Sequence, residues 1–118
     1  MPTKRAPPTR TAKTGIQLTT IRRFLSKQGV ENKTWAAALL GMKKSRIGIG
    51  YLRTLAKDPH PRVRATAMWG VGAIGSRLGI PLLIQGFRDP DPSVRNTARV
   101  ALDAIIEKYL VAKSRARH

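Results

Sequence analysis

Three pairs of basic side chains recur at a single displacement: Arg22 and Arg53, Arg46 and Arg77, and Lys57 and Arg88 each stand 31 positions apart. Cations repeated at a fixed interval along a regular fold form ladders, and a Lys/Arg ladder can follow the phosphates of a polyanion. Lys43 and Lys44 add charge beside Arg46, where a helix is expected to begin and where free N–H groups and the helix dipole also favour an anion. Arg23 follows Arg22, and Lys4, Arg5, Arg10 and Lys13 lie among prolines at the start of the chain. These thirteen side chains are the candidate nucleic-acid contacts; Lys113, Arg115 and Arg117 could act likewise.

Other chemistry has little to draw on. There are 2 histidines, His60 in a turn and His118 at the last position, and no cysteine, so neither a nucleophile–base pair nor a thiolate metal site is available. Six scattered acids give no metal-ligand spacing. Gly70, Gly72 and Gly75 fall within or at the end of a helical pattern, so they read as packing positions and not as a phosphate loop. No catalysis, metal or cofactor is expected.

The charge balance narrows the partners. The chain of 118 residues carries 23 Lys plus Arg against 6 Asp plus Glu, a net charge of +17. Residues 1–57 hold 13 of the bases and a single acid, Glu31, so the N-terminal half is the expected contact region. A solvated face made for solubility mixes both signs, and this half does not. DNA or RNA is the first candidate partner, with an acidic protein second; sequence does not separate DNA from RNA. The few aromatic residues and the absence of a base-reading motif point to backbone and shape recognition. Trp69 reads as packed or at an interface, whereas Trp35 reads either as a partner contact or as a cover for the end of the core. No apolar run approaches the ~18 residues of a membrane span, and Pro2, Pro7 and Pro8 spoil an amphipathic transit helix. The expectation is a soluble cytoplasmic protein, with a nucleoid or ribonucleoprotein particle left open.

The same displacement governs the elements that must position these residues. Asp58-Pro-His-Pro-Arg-Val-Arg-Ala-Thr-Ala67 returns as Asp89-Pro-Asp-Pro-Ser-Val-Arg-Asn-Thr-Ala98, and Ser45-Arg-Ile-Gly-Ile49 as Ser76-Arg-Leu-Gly-Ile80, both 31 residues later. Self-similarity at this period signals stacked helical units. Residues 1–15 read as a flexible basic arm, 16–110 as the repeat domain and 111–118 as a basic tail, fraying from Lys113. Ile16, Leu18, Ile21, Phe24 and Leu25 predict an amphipathic first helix. A turn at Gly29–Asn32 is followed by a short alanine-rich helix stopped at Gly41, and Ser45 caps a third helix running to about Lys57. Pro61 and Pro92 suit first helical positions, with Asp91 a strong N-cap before the second and His60 a poor one before the first. Val63, Ala67, Val71 and Ile74, matched by Val94, Ala98, Leu102 and Ile105, should be core. Ile80–Phe87 is expected to be a short buried helix, and the last helix to run from about Pro92 toward Tyr109.

The pattern Asp-Pro-x-Pro-x-Val-Arg-x-x-Ala before an Ala/Leu-rich helix resembles the HEAT repeat, strongly from Asp58 and Asp89 and degenerately before Asp58, where Lys27 and Asn32 occupy the Asp and Val positions. The resemblance implies an all-α, short right-handed α-solenoid of antiparallel helix pairs, about five helices in all. It also implies that Arg64 and Arg95 bridge neighbouring units through aspartates such as Asp58 and Asp89. Two functions follow: a noncatalytic phosphate-backbone binder that packages DNA or joins a ribonucleoprotein, or the protein-interaction scaffold common among such repeats. The uncapped ends of so short a stack leave self-association open.

Overall fold

A computed structural model describes residues 29–116, which form five α-helices and one 3₁₀ turn: α1 (Val30–Lys43), α2 (Ile47–Leu55), α3 (Pro61–Ile74), the turn Arg77–Gly79, α4 (Ile80–Gly86) and α5 (Pro92–Ala116). No strand occurs among the described residues. The expected arm, the helix from Ile16 and the last two residues lie outside them.

The units begin as the repeated motif requires. His60 Nδ1 accepts the Arg62 N–H at 3.1 Å and Asp91 Oδ1 accepts the Ser93 N–H at 2.8 Å, so each residue caps the helix that follows. Behind them, Asp58 accepts the His60 N–H at 3.0 Å and Asp89 accepts the Asp91 N–H at 2.9 Å. Expected to cap poorly, His60 does the work of Asp91 because a ring nitrogen can accept where a carboxylate would.

Three first helices stack side by side, α1 on α3 and α3 on α5, while α2 packs on α1 and α3, and α4 on α5 and α3. Val63, Ala67, Val71, Ile74, Val94, Ala98 and Ile105 are buried as expected, and Leu102 is only half-buried. Leu40, Leu52 and Leu83 are the largest of the other side chains in the core. Each such side chain contributes about 1.5–3 kcal/mol through burial.

Gly41 does not stop α1. A Cβ there would lie 2.7 Å from the Gly70 Cα and 2.8 Å from the Trp69 ring, so this glycine lets α1 and α3 touch backbone to backbone. The helix also starts earlier than expected, at Val30, and is capped after Lys43 by Lys44, a non-glycine residue with φ of 58°. Gly72 is the counterpart between α3 and α5, where a Cβ would come within 2.6 Å of the Ala101 Cβ.

The last helix departs most from the sequence expectation. Gly75, with φ of 73°, ends α3. One repeat later that position is Ile106, and nothing from Ile106 to Ala116 breaks a helix. Accordingly, α5 continues past Tyr109 as one helix through Ala116. Among the described residues, no partner helix folds back on its end.

Candidate anion-binding edge

In an antiparallel stack, turns from first to second helices lie along one edge and turns from second to first helices along the other. The candidate cations are divided between these edges. Lys43 ends α1, Lys44 follows it, Arg46 precedes α2 and Arg77 opens the 3₁₀ turn, all on the first edge. Lys57 and Arg88 follow α2 and α4 and lie on the second, about 15 Å away along those helices. Arg53 is exposed in the last turn of α2, and its counterpart 31 residues later is Ile84, so its row does not continue in α4. The described pairs therefore fall at the interhelix turns in two separate rows. Lys4, Arg5, Arg10, Lys13, Arg22 and Arg23 lie outside the described residues.

The edges differ in electrostatics. The second edge carries Asp58, Asp89 and Asp91 in its turns and Glu31 in the first turn of α1. Asp58 accepts from Lys33 Nζ at 2.6 Å. Arg64 grips Asp89 with both prongs, Nε to Oδ2 at 2.9 Å and Nη2 to Oδ1 at 3.0 Å. Burial alone would raise both carboxyl pKa values. For Asp58 the Lys33 hydrogen bond, the His60 N–H and the Lys33 charge outweigh burial; for Asp89 the Arg64 hydrogen bond, the Asp91 N–H and the Arg64 charge do so, and both settle below the ordinary carboxylate range. The negative charge of this edge is thus largely consumed by the fold.

On the first edge Arg46, Arg77 and Lys108 line one concavity of about 320 Å³ with Ile74, Gly75, Ser76, Leu78 and Tyr109, and no acid is in its wall. The three cations stand 31 residues apart in turn, one from each stacked unit. Arg77 lies over the Tyr109 ring at 5.1 Å from its centroid, which holds the guanidinium in place. Lys108 crosses the end of α3, its Nζ 3.4 Å from the Gly75 carbonyl oxygen, where the helix dipole favours a cation. A Cβ at Gly75 would come within 3.0 Å of that Nζ.

Sequence reasoning placed Arg46 and Arg77 together and missed Lys108, although adding one more repeat to Arg77 leads to it. Trp69 is packed on one side only. Its ring covers Gly41, yet 46% of the residue remains exposed beside a shallow apolar groove of about 220 Å³ lined by Gly72, Ala73, Thr97, Val100, Ala101 and Ala104. Trp35 is 55% exposed, which suits either a partner contact or a cover at the end of the core.

Among the described residues, no group of three or more His, Cys, Asp or Glu could hold a metal ion, and no helix is long and apolar enough to cross a membrane. A family model described as HEAT repeats matches residues 21–103. None of the curated proteins matches the chain.

Proposed function

The chain belongs to the HEAT-repeat family of helical scaffolds, and from that premise we propose that it is a noncatalytic scaffold that holds nucleic acid by its phosphates. The observation that carries this reading is the convergence of Arg46, Arg77 and Lys108 on one acid-free concavity, one cation per unit. Packed helices stand about 10 Å apart, so the row offers regularly spaced charges to a polyanion. The net charge of +17 supplies the long-range attraction. Lys43 and Lys44 add charge on the same edge, the N-terminal half contributes most of the excess of bases in the sequence, and recognition is of backbone and shape.

The test is a salt titration of binding by fluorescence anisotropy with duplex DNA, single-stranded RNA, structured RNA and polyglutamate. Nucleic-acid binding well above the polyglutamate level, with a log–log slope reporting several phosphates, supports the proposal and ranks DNA against RNA. Equal weak binding to all four ligands removes it. The protein-interaction role common in the family would then take its place, favoured by the exposed apolar groove between Trp69 and Val100.

A further inference from the structure

The outer face of α5 carries a row of charges in which no cation is paired with an acid among the described residues. Arg95, Arg99, Asp103 and Glu107 are all exposed and stand four residues apart. At about 100° per residue, the row lies roughly 150° around the helix from the buried stripe of Val94, Ala98, Ala101 and Ile105. Exposed Ile106 and Leu110 share that side.

Arg95 is held as Arg64 is. Its Nη1 donates to the Asp89 and Pro90 carbonyls at 2.7 and 3.0 Å, just as Arg64 Nη1 donates to the Asp58 and Pro59 carbonyls at 2.9 Å each. The remaining edge of the Arg64 fork holds Asp89, whereas the same edge of Arg95 has no acceptor among the described residues. Asp103 and Glu107 are the complementary anomaly. Asp58 and Asp89 are paired, Asp91 caps a helix and Glu31 sits at a helix start, but these two acids meet no cation among the described residues.

We propose that this face binds a second copy of the chain, with the two α5 helices antiparallel about Ala101, Arg95 against Glu107 and Arg99 against Asp103. A two-fold axis makes each pair twice, since the same patch serves both copies. Rows at four-residue spacing are the ridges by which helices most often pack, crossing at about −50°. Ile106 and Leu110 supply apolar surface beside the charges. The row sums to zero charge in a protein of +17, which favours a second copy over a polyanion.

Sedimentation equilibrium of the full chain at about 100 μM and ~0.15 M salt tests this without nucleic acid, and so independently of the function proposed above. The expected species is a dimer of 13.0 kDa subunits. Arg99→Glu or Asp103→Arg alone should raise the dissociation constant about tenfold or more, and an equimolar mixture of the two should restore a heterodimer. Neither change touches the core, and circular dichroism verifies folding. A monomeric native chain, an unweakened Asp103→Arg dimer, or a mixture that fails to associate would each overturn the proposal.

Discussion

Arg64 reaches forward 25 residues to close both oxygens of Asp89 in a two-pronged grip, and Lys33 reaches Asp58 over the same interval one repeat earlier. Arg64 also draws the Asp58 and Pro59 carbonyls onto its third nitrogen. The turn before α3 and the turn before α5 are therefore tied together by one side chain.

Arg64→Ala should cost about 2–3 kcal/mol in urea unfolding, because it leaves a partly buried carboxylate and two carbonyls without their donor. Arg64→Lys should recover only part of this, since a point charge cannot reproduce the fork. Lys33→Ala, which removes a single hydrogen-bonded ion pair, should cost about 1 kcal/mol.

Acid should weaken the same ties. Folded Asp58 and Asp89 titrate below their unfolded values, so their contribution is complete above the unfolded pKa of about 3.9 and is lost as pH falls through the folded values. Stability followed by thermal melts should show no loss from this source between neutrality and about pH 5, and a decline below about pH 4. Asp58→Asn with Asp89→Asn should flatten the acid limb while lowering stability at pH 7.

Glycines of one composition should respond in opposite ways. Gly72→Ala forces a methyl into Ala101 and should cost about 2 kcal/mol or more. At Gly50, exposed within α2 with nothing within 4 Å of a new Cβ, alanine should add about 0.5–1 kcal/mol. Urea midpoints of the two variants check the contrast.

For phosphate binding, Arg46→Ala, Arg77→Ala and Lys108→Ala should each weaken nucleic-acid affinity and lower the salt slope by about 0.9 for every phosphate that is no longer neutralised. Lys57→Ala and Arg88→Ala, on the edge shared with the aspartates, should change the slope less. Anisotropy titrations at several salt concentrations read both quantities, with thermal melts to show that Lys108→Ala stays folded.

Much of the fold was legible because the 31-residue displacement fixes register: the helix starts at Pro61 and Pro92 and the buried stripes follow from aligning two copies of one motif, and the Arg64–Asp89 tie from the resemblance to HEAT repeats. The same alignment, carried one step back or on, would have found Lys33 and Lys108. It was less visible there because the flanking residues no longer match the motif. Gly41 was read as a helix stop because a sequence does not display the neighbour that makes a glycine necessary; here that neighbour is Gly70 on α3. The basic edge was legible as charge but not as geometry. Arg46 and Lys57 belong to one helical unit, yet the direction reversals of the chain send them to opposite sides.

The replacement of Gly75 by Ile106 in the final unit has a mechanical consequence. A chain that turned there would place its remaining cations on a separate hairpin arm, free to shift against the stack. Because α5 instead runs straight, Lys108 and Arg115 ride on one stiff rod about 10 Å apart and nearly in line, and both border the same shallow depression. The rod works as a ruler, with its zero mark pinned at the end of α3 by the Lys108 ammonium.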